Sequence, residues 1–360
     1  MTAAPPAAPN VLVPARGCDC RVCPFFTGNP TAVEPICSGC NSDCTYCGCS
    51  RTEGAATPGG CRTCPIRCGS RTDIEAWMRD VGGTLRFDDI SIRTPLPLLP
   101  RFIPLLEGSD VAELDRVARC PAYGFRLRQV FSARTHQLSP SLTELGAHAA
   151  LGLRDDQLAV LVGYGEDPLV EAFWTLRKAD RLIEAIAAQG WDLVLAPNFS
   201  MYGNQPRAEH LINFRRSLMV AAELAAAGVA AVPNLYWFRR EDLQRWVAWC
   251  ETAHPPAIAL NLQTLRTDSE WQLMGLPGLS YLAAQLPPGI AVIVNGSSRA
   301  SRIVTLRQLF GRSLVLVSQN AIQGALHGKV ITEHGWEVRH AEKADLFAAN
   351  VRFYTRLVEG

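Results

Sequence analysis

Residues 192–237 read DLVLAPNFSMYGNQPRAEHLINFRRSLMVAAELAAAGVAAVPNLYW, and this stretch decides the fold. Asp192–Ala196 is an apolar run short enough for a strand buried on both faces. Turn-forming residues follow it, and Arg207–Ala227 then carries apolar residues at helical spacing. Gly228 suits the end of that helix, and Val229–Val232 opens a second apolar run. Strand, loop, helix and strand in this order predict a parallel sheet, because parallel strands need a long crossover connection.

The unit repeats on both sides. Downstream, strands are expected at Ala257–Leu262, Ile290–Val294 and Ser313–Val317. Helices are expected at Glu241–Ala253, Leu279–Leu286, Ser301–Phe310 and Ala341–Val358, with a short hairpin at Lys329–Arg339. Upstream, Leu158–Val162 is a buried strand followed by one long helix, Pro168–Gln189. Tyr123–Phe131 reads as a strand, and Thr84–Ile92 alternates enough to read as the first one. The proline-rich residues Thr94–Pro104 read as a loop or extended connector, and Asp110–Arg119 and Ser141–Gly152 as helices. Eight strand candidates alternating with helices predict an α/β fold, a (β/α)8 TIM-like barrel over residues 71–360. An open doubly wound parallel sheet is the alternative. The chain has neither a dinucleotide-binding glycine fingerprint nor a phosphate-binding P-loop.

In front of the barrel lies a different texture. Residues 1–16 form an Ala/Pro-rich leader, and residues 17–70 hold eleven of the thirteen cysteines. They fall in three bursts: Cys18, Cys20 and Cys23; Cys37, Cys40, Cys44, Cys47 and Cys49; and Cys61, Cys64 and Cys68. Disulfides belong to oxidising compartments, and here the count is odd and no secretory signal precedes them. Zinc takes four Cys or His ligands, but the module has no histidine, and its two Cys-x-Cys pairs crowd one tetrahedral ion. Iron–sulfur ligand runs combine Cys-x2-Cys spacings with a terminal Cys-Pro, and Cys23, Cys64 and Cys120 are each followed by proline. Adding Cys120 gives twelve thiolates, enough for three four-cysteine 4Fe-4S sites. The module has too few aliphatic residues for a core, so bound metal is expected to hold it together. Iron–sulfur clusters are the favoured cofactor and zinc the alternative. Cys250 reads as a small buried hydrophobe.

Lys+Arg 35 against Asp+Glu 34 leaves no broad basic field for non-specific nucleic-acid binding. No apolar run is long enough to span a membrane, and a soluble, cytoplasmic protein without membrane partners is expected. In parallel α/β folds ligands bind at the carboxyl ends of the strands. Those positions hold Asn198, Asn204, Asn234, Trp237, Asn261, Asn295, Ser297, Ser298 and Asn320. Asparagine donates and accepts, so a ring of them suits a small polar ligand with mixed edges, such as a base, a sugar or nucleic acid. Asn, Ser and Asp also favour turns and caps for purely local reasons. The run from Asn295 to Arg299 follows a strand and opens a helix, a setting that favours an anion. Asp88, Asp89 and Glu166 are the candidate acids and bases. His210 reads as a solvated helix residue and Arg215-Arg216 as a solvent-facing pair.

Two resemblances add to this reading. Cys40-x3-Cys44-x-Tyr46-Cys47 resembles the three-cysteine motif of radical S-adenosylmethionine enzymes, which implies S-adenosylmethionine bound to an open iron. In that family the motif follows the first barrel strand, and here no convincing strand precedes Cys40. Residues from about Asp192 to Asn295 resemble the uncharacterised domain-of-unknown-function family 4417 of bacteria, phages and plasmids. The carrying residues are Asn198-Phe199-Ser200-Met-Tyr202 with Pro206, Asn213-Phe214-Arg215-Arg216, and Gly228, Val232-Pro233 and Trp237. The family has an acidic residue in place of Asn198, and Tyr-Arg-Asn in place of Phe214-Arg215-Arg216. The resemblance implies a mobile-element or DNA-linked context. The sequence thus reads as an iron–sulfur protein, an enzyme with a redox partner, whose barrel face binds a nucleotide- or base-like ligand. The rivals are a zinc-stabilised module binding nucleic acid or a partner, and a radical S-adenosylmethionine enzyme.

Overall fold

The computed structural model describes residues 23–39, 66–69, 73–107, 111–132, 134–203 and 205–360. It divides into two compact units: Met1–Phe87 with Phe199–Arg216, and Asp88–Asn198 with Ser217–Gly360. The N-terminal unit runs to Phe87, and a segment from the middle of the chain joins it.

The larger unit is an α/β TIM-like barrel. Its strands are β1 Phe102–Leu106, β2 Ala122–Arg126, β3 Leu158–Val162, β4 Leu193–Leu195, β5 Ala231–Val232, β6 Asn234–Leu235, β7 Ala257–Asn261, β8 Ala291–Asn295 and β9 Leu314–Ser318. All pair in parallel in the order β5-β4-β3-β2-β1-β9-β8-β7-β6. The two ends of that order, β5 and β6, are neighbours in the chain. Pro233 separates them because it has no N–H to give to a ladder, yet its carbonyl still accepts from Ala259 N–H at 2.9 Å. The two short strands are thus halves of one stave, and the sheet curls into a nearly closed barrel of eight staves. Every second residue points inward, so Ile103, Val160, Leu195, Ala259, Ile293 and Val317 meet in one buried cluster.

Seven of the expected strands lie where the apolar runs are, and the first does not. Residues 84–92 pair with no strand. Leu85, Phe87, Ile90 and Ile92 are buried, so their alternation records one-sided burial rather than a ladder. The true first strand, β1, lies at the end of the stretch read as a proline-rich connector. All five of its residues are buried, Pro104 included, and a proline inside a central strand is a misleading signal. Tyr123–Phe131 also shortens: β2 stops at Arg126 and a helical turn, Leu127–Val130, follows. The single helix expected at Pro168–Gln189 is two, Asp167–Ala179 and Leu182–Ala188, broken where Arg181 turns left-handed at φ 52°.

After β9 the chain forms the helix Asn320–Leu326, the expected hairpin of β10 Lys329–Thr332 and β11 Gly335–Val338, and the helix Lys343–Glu359. Asn350, fully buried on that last helix, ties these pieces together. Its amide donates to Ala321 O at 3.1 Å and Lys329 O at 3.0 Å, and its oxygen accepts from Ile331 N–H at 2.7 Å. Asn350→Ala leaves these groups unsatisfied and should cost about 2 kcal/mol in urea unfolding. Hydrogen exchange at Ile331 should accelerate in the same variant.

In the N-terminal unit Arg207, Glu209, His210, Asn213, Arg215 and Arg216 are buried. Arg215 and Arg216 are 2% and 0% exposed, which overturns the solvent-facing pair. Arg215 Nε donates to Val81 O at 2.5 Å and its Nη1 to Arg86 O. Arg216 stacks 3.9 Å from the Phe199 ring and donates to Asn213 Oδ1 at 2.9 Å. His210 is buried too, with Nε2 2.8 Å from Tyr202 O. Glu209 is buried against Arg67, whose Nη1 lies 2.9 Å from Glu209 Oε1. Among the described residues no helix is long and apolar enough to cross a membrane.

Candidate functional site in the barrel mouth

At the carboxyl ends of the strands lie two adjoining cavities, of about 490 and 590 Å³. Arg126, Gln263 and Asn295 line both. The first cavity has apolar walls, among them Phe131, Val162, Tyr164 and Leu169, with Arg128, Arg134 and Glu166 at its edge. The second is polar: Arg126, Arg266, Arg299 and Arg302 line it together with Ser297, Ser298, Ser318, Gln319 and Asn320. No aspartate or glutamate is among its described lining residues, although Glu107 and Asp268 pair with three of the arginines.

The strand-end residues divide into two groups. Asn295, Ser297, Ser298, Asn320 and Glu166 line the cavities. The others hold the rim in shape. Asn198 Oδ1 accepts from Gly165 N–H at 3.2 Å, and Asn261 Oδ1 accepts from Gln263 N–H at 3.1 Å. Asn234 is 4% exposed, accepts from the Tyr164 hydroxyl at 3.0 Å and exchanges two 2.9 Å bonds with Ser217. Trp237 packs on Gly278, where a Cβ would lie 2.2 Å from the indole nitrogen, and donates to Met274 O at 3.3 Å. These four are tied to protein groups and line neither cavity. Asn204 lies outside the described residues. Asp88 and Asp89 occupy an exposed turn ahead of β1, not a strand end, because the strand that was to carry them does not form.

The sequence reading missed the charges that dominate the mouth. Glu107 immediately follows β1 and lies 2.9 Å from Arg126 Nη1, with Arg128 as its second partner. Burial pulls the Arg126 guanidinium below its ordinary pKa, and Glu107 counters that. Burial likewise raises the Tyr164 hydroxyl, which stays protonated and donates. Arg302 donates to Leu265 O at 2.5 Å and Thr267 O at 2.8 Å, and it shares Asp268 with Arg299. Arg126 and Glu107 become visible as site residues only once β1 and β2 are placed correctly.

A larger cavity of about 980 Å³ lies at the opposite, amino end of the barrel, between Leu98–Phe102, Ala118–Pro121, Val330–Glu333 and the last helix. Parallel barrels place ligand chemistry at the carboxyl end, where loop side chains converge, so size alone does not select the amino-end cavity. Cys120 lines it, 3% exposed. Its N–H donates to Asp115 Oδ1 at 2.9 Å, and burial pushes its thiol up to about 11.

Of the cysteine module, Cys23, Cys37 and Cys68 are described, and Cys18, Cys20, Cys40, Cys44, Cys47, Cys49, Cys61 and Cys64 lie outside the described residues. Phe26, three residues after Cys23, forms a β-bridge with Cys37. A Cβ on Gly69 would lie 2.6 Å from Cys23 Sγ, which puts Cys23 beside the residue that follows Cys68. The Gly39 N–H points at Cys37 Sγ, 3.4 Å away. Among the described residues alone, no three His, Cys, Asp or Glu side chains converge on a metal position. Neither a protein-family model nor a curated protein matches the chain.

Proposed function

We propose that the barrel mouth binds a small anionic ligand of nucleotide- or base-like character, and that the protein is an enzyme acting on it. The observation that carries this reading is the pair of adjoining cavities, one walled in part by Phe131, Val162, Tyr164 and Leu169 and one ringed by arginines, with Arg126, Gln263 and Asn295 in their common wall. An apolar chamber takes a flat ring, amides read its polar edge, and arginines hold a charged group. Glu166, at the edge of the apolar chamber, is the acid–base candidate.

The cysteine module is proposed to hold iron–sulfur clusters on thiolates drawn from Cys18, Cys20, Cys23, Cys37, Cys40, Cys44, Cys47, Cys49, Cys61, Cys64 and Cys68. The nearness of Cys23 to Gly69, next to Cys68, supports this, as does the Gly39 N–H directed at Cys37 Sγ. Bound clusters supply one-electron transfer to a redox partner, or, through Cys40, Cys44 and Cys47, a site for S-adenosylmethionine. Anaerobic isolation separates the metals: several irons per chain are expected, and stoichiometric zinc without iron would contradict the cluster assignment.

Arg126→Ala tests the ligand reading. Glu107 keeps Arg128 as a partner in the variant, so the fold should hold. Calorimetric titration with common nucleotides should show affinity falling about tenfold or more, the usual loss for a charge-assisted hydrogen bond. Unchanged affinity in a folded variant contradicts the site.

A further inference from the structure

Resting on the ligand reading above, we infer that the turn Gly296–Arg299 is a phosphate subsite, so that the ligand is a phosphate ester lying with its ring in the apolar chamber. The turn leaves β8 and enters the helix Ala300–Phe310, eleven residues long, with no acidic residue in its first turn. The residue at its N-cap, Arg299, makes no side-chain capping bond. Such a helix start carries partial positive charge and offers N–H groups to an anion.

A second observation points to a ligand at this place. Ser297 lines the polar cavity and is 3% exposed, yet its hydroxyl has no hydrogen-bond partner among the described residues. The Gln319 side-chain oxygen, in the same cavity, is also buried without one. Buried polar groups are nearly always satisfied, so two orphans in one chamber mark the place of something that bonds to both. An amide can turn its NH₂ toward an anion, and a hydroxyl donates to one. Four arginines line the chamber, and although Glu107 pairs with Arg126 and Asp268 with Arg299 and Arg302, neither carboxylate is among the lining residues, which favours an anionic group over a neutral one.

Gly296 shows that the turn is shaped for this approach. Its φ is 84°, and a Cβ there would sit 2.5 Å from Gln263 N. The β8 turn is thereby held against the Gln263 backbone, and Gln263 and Asn295 stand between the two chambers. The geometry orders the ligand as phosphate at Ser297, polar edge at Gln263 and Asn295, and ring toward Tyr164.

The test compares common ribonucleosides, their 5′-monophosphates and inorganic phosphate by calorimetry on the full chain, with Ser297→Ala and Ser297→Asp variants. On the unaltered protein at least one monophosphate should bind about tenfold or more tightly than its nucleoside, and inorganic phosphate should compete. Ser297→Asp should erase that advantage by repulsion, and Ser297→Ala should reduce it. Equal affinity for nucleoside and monophosphate, or an advantage that survives both variants, overturns the phosphate subsite and leaves the nucleotide-like reading standing. Inorganic phosphate binding that Ser297→Asp abolishes, with no nucleoside or nucleotide bound, keeps the subsite and ends the nucleotide-like reading. No binding of any of the three ends both. Should Ser297→Asp not fold, the competition by inorganic phosphate and the Ser297→Ala titration decide the question.

Discussion

Arg215→Ala should destabilise the N-terminal unit by about 3–5 kcal/mol, the largest loss expected of any single side chain here. The guanidinium is 2% exposed and donates to two backbone carbonyls, Val81 O and Arg86 O, from one planar head. Each bond is charge-assisted, and removal leaves buried carbonyls unsatisfied as well as a void. Between those carbonyls Gly82 adopts φ 86°, and a Cβ there would lie 3.1 Å from Arg215 Nη2. The loop is therefore shaped around this one side chain. Arg215→Lys keeps the charge but loses the fork, and should recover less than half of the loss. Urea unfolding followed by tryptophan fluorescence measures the effect, since Trp77 lies on the helix Ile74–Asp80 of the same unit. A loss below about 1 kcal/mol would mean that the arginine is replaceable by water.

Gly296→Val should abolish ligand binding and cost about 3 kcal/mol of barrel stability. Two physical terms combine. A φ of 84° is strained for a β-branched residue by about 1–3 kcal/mol. The new Cβ would also meet Gln263 N and Cγ, each at 2.5 Å, and backbone cannot step aside as a flexible side chain can. The contact pushes the β8 turn away from Gln263, which separates the chambers' shared residues. Calorimetric titration and thermal unfolding of the same variant read both effects. A folded variant with unaltered affinity would place the ligand elsewhere.

The barrel was legible in the sequence wherever a strand is buried on both faces and flanked by helices. Leu158-Ala-Val-Leu-Val162 and Ala291-Val-Ile-Val-Asn295 are continuous apolar runs, and hydrophobic burial alone places them. β1 was illegible because Pro104 signals a break while residues 84–92 mimic alternation. That one error moved the acidic candidates to Asp88 and Asp89 and hid Glu107. The asparagines were found at the right ends of the right strands, but their roles were mixed. Asn295 and Asn320 line the polar cavity, while Asn198, Asn234 and Asn261 satisfy backbone or side-chain groups of the rim. No local pattern separates these uses, since an amide that caps a turn and one that meets a ligand obey the same chemistry. The stretch from Phe199 to Arg216 shows a related effect. Phe199, Asn213, Phe214, Arg215 and Arg216 are all buried within the N-terminal unit. These residues therefore serve packing and internal hydrogen bonds. Ser297 and Gln319 carry a signal only in three dimensions, as buried groups without partners.

Hydrogen–deuterium exchange of the full chain, with and without the tightest-binding nucleotide of the titrations, tests the central assignment most directly. Added ligand should slow exchange in residues 126–134, 263–266 and 295–302, the segments that bound the two chambers. Protection confined instead to residues 98–102 and 330–333, at the amino end of the barrel, would contradict it.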